Sequence, residues 1–251
     1  MFAAVAGEPA DTYRGLALRV AAHARAGRPF VVGVAGAVAA GKTTVADRLA
    51  RLLRDGPGAP SVEVISTDGF LYSNEQLASQ GLTNRKGFPE SFDTPALVEA
   101  LLSLCSGSPT RIPRYSHLHY DVMPGTVVEV PDVVVLEGVN LLQVHPAGAS
   151  ILVSDLLELS IYLDAAEDDL RRWFTERLAA LFRDAGDDPS CYYHQWSGWS
   201  IEQIAGLADA AWEGVNALNL RRYIAPSRWR ADIIIEQDGE HGVRAVLERR
   251  I

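Results

Sequence analysis

The stretch Phe30-Val31-Val32-Gly33-Val34-Ala35-Gly36-Ala37-Val38-Ala39-Ala40-Gly41-Lys42-Thr43-Thr44 decides how the rest of the chain is read. Residues 30–35 are apolar or glycine with no polar alternation, the pattern of a central parallel strand covered on both faces. Gly36 to Thr43 then fit G-x-x-x-x-G-K-[ST], and Thr44 to Arg54 carry Val45, Leu49, Leu52 and Leu53 at helical spacing. A glycine-rich loop between a buried strand and a helix is where a phosphate-binding loop must stand. Its glycines let the backbone wrap so that the N–H groups of Gly36, Ala37, Val38, Ala39, Ala40 and Gly41 face phosphate oxygens. The helix N-terminus adds partial positive charge, Lys42 reaches the terminal phosphates, and the Thr43 hydroxyl suits Mg²⁺. The loop implies a nucleotide and leaves the reaction open.

Outward from this unit the alternation repeats. Strands are expected at Val62–Ser66, Val133–Leu136, Leu159–Leu163 and Ile233–Ile235, with Val243–Leu247 as an edge strand. Helices are expected at Tyr13–Ala26, Thr94–Cys105, about Ala166 to Arg183, and 200–223. Strands alternating with helices predict an α/β fold with a mainly parallel central sheet and helices on both faces. No internal repeat or low-complexity linker divides the 251 residues, so one domain is expected. Within it, 1–29 forms an N-terminal helical segment and about 166–200 a mobile lid and pocket region.

Composition narrows the partners. A net charge of −9 argues against bulk nucleic-acid binding, which depends on a basic surface that displaces counterions. No apolar run reaches the roughly 18 residues of a membrane span, and no secretory signal opens the chain, so a cytoplasmic protein is expected. Two cysteines, Cys105 and Cys191, fit a reducing compartment. Among 23 basic residues only Lys42 and Lys86 are lysine, which makes the position of each informative.

Two acids follow strands at the carboxyl edge of the sheet, where ligands of open α/β folds bind. Asp68, in Ser66-Thr67-Asp68-Gly69-Phe70, can take a proton from an attacking hydroxyl or hold a metal-bound water. Glu137, in Leu136-Glu137-Gly138, can orient Mg²⁺ and its waters. An aromatic cluster at Tyr192, Tyr193, His194, Trp196 and Trp199 could wall an apolar pocket or belong to the core.

The phosphate loop, Thr67-Asp68-Gly69-Phe70-Leu71, Lys86-Gly87-Phe88-Pro89-Glu90-Ser91-Phe92-Asp93, Tyr115-Ser116-His117-Leu118-His119-Tyr120-Asp121 and Leu136-Glu137-Gly138-Val139-Asn140 together resemble the bacterial type I pantothenate kinases. Those are P-loop kinases of the phosphoribulokinase and uridine kinase group. The resemblance runs from about Phe30 to the C-terminus, through Val153-Ser154-Asp155 and Val215-Asn216-Ala217-Leu218-Asn219-Leu220. It implies an ATP- and Mg²⁺-dependent enzyme that phosphorylates a small primary alcohol, pantothenate first, and a homodimer as the assembly; the alternatives are a kinase of another small alcohol, such as a nucleoside, sugar or specialised metabolite, and a non-catalytic nucleotide-binding switch.

Residue by residue, the resemblance makes Asp68 the catalytic base and places Arg177 at the transferred phosphate with Lys42. Tyr115, His117, Tyr120 and Asn216 fall on the pantothenate pocket, Lys86 near the nucleotide phosphates and His241 beside the adenine. Three departures carry expectations. About 29 residues precede the Phe30 strand, fewer than such kinases have, which predicts altered selectivity for the nucleotide base. Phe174 stands where these kinases have a tyrosine beside the substrate, which removes a hydroxyl donor. Asp47 replaces a basic residue associated with coenzyme A feedback, which predicts weak inhibition by coenzyme A.

Overall fold

The computed structural model describes residues 2–4, 11–24, 27–144, 151–186 and 188–250. Its strands are β1 (Phe2–Ala4), β2 (Phe30–Gly36), β3 (Val62–Ser66), β4 (Thr110–Ser116), β5 (Asp121–Val128), β6 (Val133–Gly138), β7 (Leu159–Asp164), β8 (Ile233–Gln237) and β9 (Val243–Arg249). The longer helices are α1 (Thr12–Ala21), α2 (Lys42–Arg54), α3 (Asn74–Ser79), α4 (Thr94–Cys105), α5 (Glu167–Asp184) and α6 (Ile201–Ala211).

Seven strands make one sheet in the order β1-β9-β8-β7-β2-β6-β3, with the pairs from β8 through β3 parallel. Every residue of β6, and all of β2 after Phe30, is buried. Because successive side chains point to opposite faces, that uniform burial means the sheet centre is covered on both sides. Val31, Val34, Val133, Val134, Val135, Leu136, Ile161 and Ile234 are fully buried, and Leu49 and Leu53 of α2 belong to the same core. Burying each such side chain contributes about 1.5–3 kcal/mol.

Several boundaries follow from local chemistry. The α4 helix starts where Asp93 Oδ1 accepts the Ala96 N–H at 3.0 Å, with Pro95 in the first turn, and such a cap contributes about 1 kcal/mol. The α1 helix ends at Ala21, short of the expected Ala26; residues 25–26 lie outside the described ones. It buries Tyr13, Leu16, Ala17 and Val20, while Leu18 is exposed.

One expectation is corrected outright. β9 is not the edge of the sheet, because β1 pairs antiparallel outside it through Phe2↔Arg249 and Ala4↔Leu247, and β9 itself runs antiparallel to β8. The expected helix at 200–223 begins as α6, then passes through π-helical turns at Trp212–Asn216 and Leu220–Ile224. A separate antiparallel hairpin of β4 and β5 stands off the main sheet and carries the Tyr-Ser-His block at its tip.

Candidate active site

The loop from Gly36 to Gly41 joins the carboxyl end of β2 to the first turn of α2. Gly41 sits in the left-handed region at φ 80°, a conformation that costs glycine little. Ala39 adopts φ 64° in the same loop without being glycine. Lys42 opens α2 and folds back so that its Nζ donates to the Ala37 carbonyl at 2.8 Å. Thr43 donates through Oγ1 to Glu137 Oε1 at 3.2 Å, and Thr44 follows in the same first turn. β2 and β6 are neighbours with Val34 opposite Glu137, so the sheet register brings the hydroxyl to the acid.

Asp68 lies in a one-turn 3-10 segment, Thr67–Phe70, directly after β3. Thr67 is fully buried and donates to Asn140 Oδ1 at 2.8 Å, tying this turn to the segment after β6. Gly138 allows that approach, since a Cβ there would lie 2.0 Å from Thr67 Oγ1. Burial raises the Asp68 carboxyl above its ordinary range, while the nearby cations Lys42, Arg177 and Lys86 pull it back down. Burial likewise raises Glu137, opposed chiefly by Lys42, and lowers Lys42, opposed by Glu137 and Asp68. The result is a compact alternation of two carboxylates and three cations.

α5 brings Arg177 to this cluster, and its Nη2 lies 3.4 Å from His117 Nε2. Arginine can only donate, so His117 accepts at Nε2 and carries its proton on Nδ1. Burial and the Arg177 charge lower the His117 pKa, which keeps the ring neutral at pH 7. Tyr115 meets His117 edge-on at 5.2 Å between ring centres and Tyr120 at 6.2 Å. Tyr120 stacks on Tyr192 at 4.4 Å and meets Tyr193 at 5.9 Å. Tyr193 itself forms a small second core with Phe182 and Ala185, so the aromatic cluster serves in part as core and in part as the backing of Tyr120. Burial raises the Tyr115 and Tyr120 hydroxyls, which therefore remain donors at neutral pH.

The phosphoribulokinase/uridine kinase family matches residues 31–180. A pantothenate kinase of Clavibacter michiganensis subsp. michiganensis is 43% identical over 226 residues, and one of Parvibaculum lavamentivorans is 45% identical over 230. Both alignments take in 89% of this chain and 71% of the relative. The chain belongs to the phosphoribulokinase/uridine kinase family, in its pantothenate kinase branch. A D-glycerate 3-kinase from Cryptococcus neoformans var. grubii, 16% identical, superposes with a TM-score of 0.64 over 97% of this chain and 100% of its own, a likeness of fold.

Other expected residues of this family member lie around the cluster at differing distances. Lys86 stands on the tyrosine side: its Nζ is 4.0 Å from the Tyr120 ring centre and 4.9 Å from that of Tyr115, and it donates to the Tyr120 carbonyl at 2.7 Å. His241, at φ 59°, stacks on Trp173 at 3.6 Å, and its Nδ1 would be 3.6 Å from a Cβ on Gly41, so it borders the phosphate loop. Phe174 is partly buried, 5.9 Å from the ring of Trp212, whose buried indole N–H has no hydrogen-bond partner among the described residues. Asn216 lies in the first π-helical turn, partly buried, with no side-chain hydrogen bond among the described residues. Asn219, one turn on, donates to the Gly87 carbonyl at 2.7 Å and thereby docks that turn beside Lys86.

Two neighbours had no role in the sequence reading. Trp173 donates its indole N–H to the Gly239 carbonyl at 3.1 Å and so clips the His241 loop to α5, four residues from Arg177. Asn74, the first residue of α3, lies against Lys86 and Tyr120. The only sequence signal for Asn74 is the Ser73–Gln76 capping box, which fixes where α3 starts.

Proposed function

We propose that this kinase transfers the γ-phosphate of ATP to the primary hydroxyl of pantothenate. The observation that carries the reading is the meeting of Asp68, Lys42 and Arg177 beside a polar wall of Tyr115, His117 and Tyr120. The relatives named pantothenate kinase support the choice of acceptor.

In this reading Asp68 accepts the acceptor's hydroxyl proton as its oxygen forms a bond to the γ-phosphorus, and the bond from that phosphorus to the β,γ-bridging oxygen breaks to release ADP. A carboxylate raised by burial is a stronger base than an exposed one, and the surrounding cations oppose that rise by favouring its ionised form. Lys42 leaves the Ala37 carbonyl for the phosphates, and Arg177 meets the charge that develops on the transferred group. Catalysis of this kind is mostly positioning and electrostatics.

Thr43 and Glu137 offer hard oxygen donors within hydrogen-bond reach of each other, a set that fits Mg²⁺, which keeps several waters and takes its other ligands from phosphates. Mg²⁺ bound there would neutralise phosphate charge. His241 on Trp173 supplies the nucleobase side, and Phe174 with Asn216 flanks the acceptor.

The reading carries a cytoplasmic setting, supported by free Cys105 and Cys191, and a homodimer as the assembly. None of the described helices is long and apolar enough to cross a membrane. ADP release coupled to an indicator, with pantothenate against other alcohols, tests the acceptor.

A further inference from the structure

Tyr120 has a backbone that needs support. Its φ of 53° lies in the left-handed region, which is sterically unfavourable for a non-glycine residue, yet it must hold its ring in the acceptor wall. Its carbonyl accepts two hydrogen bonds, from Asn74 Nδ2 at 2.9 Å and from Lys86 Nζ at 2.7 Å. The other atom of the same amide, Asn74 Oδ1, accepts from Lys86 Nζ at 2.7 Å. Asn74, Lys86 and the Tyr120 carbonyl thus close a three-membered ring of hydrogen bonds in which asparagine is both donor and acceptor. Asn74 is itself fixed, because its backbone N–H donates to Asp121 Oδ1 at 3.0 Å, and the same oxygen accepts the Val122 N–H at 2.8 Å.

We propose that Asn74 is a positioning residue for phosphoryl transfer: its side-chain amide fixes the Lys86 ammonium over the Tyr120 and Tyr115 rings and locks Tyr120 in its left-handed conformation. One short helix start thereby sets both a cation beside Asp68 and a wall of the acceptor pocket. Neither aspartate nor alanine reproduces this ring, since aspartate keeps the acceptor and loses the donor while alanine loses both.

The groups that face Lys86 are Asp121 from β5, Asp68 from the turn after β3, Tyr115 from β4, and Tyr120 and His117 from the hairpin tip. Burial lowers its pKa to about 8, with Asp121 and Asp68 opposing. Loss of the Asn74 acceptor removes a hydrogen bond to the charged form and lowers that value further; a carboxylate in its place raises it.

The chain contains two lysines, so protein labelled with ¹³C-lysine gives two resolvable side-chain signals, and Lys86→Gln assigns them. The Lys86 midpoint is expected to fall in Asn74→Ala and to rise by at least half a pH unit in Asn74→Asp. With ATP and the acceptor, Asn74→Ala is expected to raise the acceptor KM about tenfold and leave the ATP KM within about twofold. The basic limb of kcat/KM should follow the Lys86 midpoint in each variant, a movement that a merely structural role would not produce. The kinetic arm rests on the acceptor reading above, whereas the titration does not: wild-type protein that fails to phosphorylate pantothenate overturns that reading and leaves the titration to decide this one. A Lys86 midpoint unchanged in both variants, or a shifted midpoint with unchanged acceptor KM, overturns the proposal. Should Asn74→Ala fail to fold, the near-isosteric Asn74→Asp supplies the same test.

Discussion

Replacing Asp68 with asparagine keeps the shape of the side chain and removes its ability to take a proton. The turn that carries it should persist, because it is held by the Thr67–Asn140 hydrogen bond and by the packing of Phe70, neither of which uses the carboxylate. A positioned general base contributes about 10²–10⁴ in rate, or about 3–5 kcal/mol at about 1.36 kcal/mol per tenfold, and kcat should fall by that factor. The nucleotide should bind as well as before or better. Lys42, Lys86 and Arg177 face Asp68, and Lys42 also faces Glu137, so the substitution leaves the cluster one charge more positive toward an anionic ligand. The pH profile supplies an independent check. Activity of the wild-type protein should fall as pH drops through the raised Asp68 pKa, above the ordinary aspartate value of about 3.9, and that acid limb should vanish in Asp68→Asn. Calorimetry of ATP binding and single-turnover rates measure the two effects separately. Lost ATP binding with an unchanged rate per bound complex would show that Asp68 is a metal ligand and refute its role as base.

Lys42→Ala should abolish turnover, since loss of one preorganised charge at the transferring group costs several kcal/mol, while loss of its hydrogen bond to Ala37 leaves the melting temperature within about 4 °C. Near-wild-type kcat in that variant would end the phosphate-loop account. Gly138→Ala should lose about 2–4 kcal/mol in urea unfolding, because the added methyl would lie 2.0 Å from Thr67 Oγ1 and break a buried hydrogen bond; wild-type stability would show that the turn can shift freely. Phe174→Tyr should lower the pantothenate KM by restoring a donor beside the acceptor, for which about 1–3 kcal/mol is available, and an unchanged KM would place residue 174 outside the pocket. In the same assay coenzyme A should inhibit weakly, because Asp47 presents an exposed negative charge on α2; tight inhibition would refute the argument from that residue.

The central βα unit was legible because its parts agree: an unbroken apolar strand, a loop spacing that fits phosphate binding, and a helix with a clear apolar stripe. The expected bounds of β3 and α4 match the structure to the residue; β3 is rich in β-branched residues, and α4 starts at the Asp93 cap that the structure shows. The hairpin of β4 and β5 was invisible to periodicity, since Pro113, Pro124 and Gly125 interrupt any alternation and the register shifts between Ile112 and Arg114. At three residues β1 is too short to show a period, and missing it made β9 look like an edge. The phosphate loop and both carboxylates could be read because motif and sheet edge name them. The contacts of Lys86 could not. Its partners come from α3, the hairpin tip and the turn after β3, and only the folded chain shows that this cation lies over Tyr120, with Asn74 beneath both.

The identity of the phosphate acceptor is the most direct test of what this kinase does. Purified protein with ATP and Mg²⁺ should release ADP when pantothenate is supplied, and should do so faster than with a panel of nucleosides and simple sugars at equal concentration. Efficient turnover of another alcohol, with none of pantothenate at millimolar concentration, would contradict the pantothenate reading.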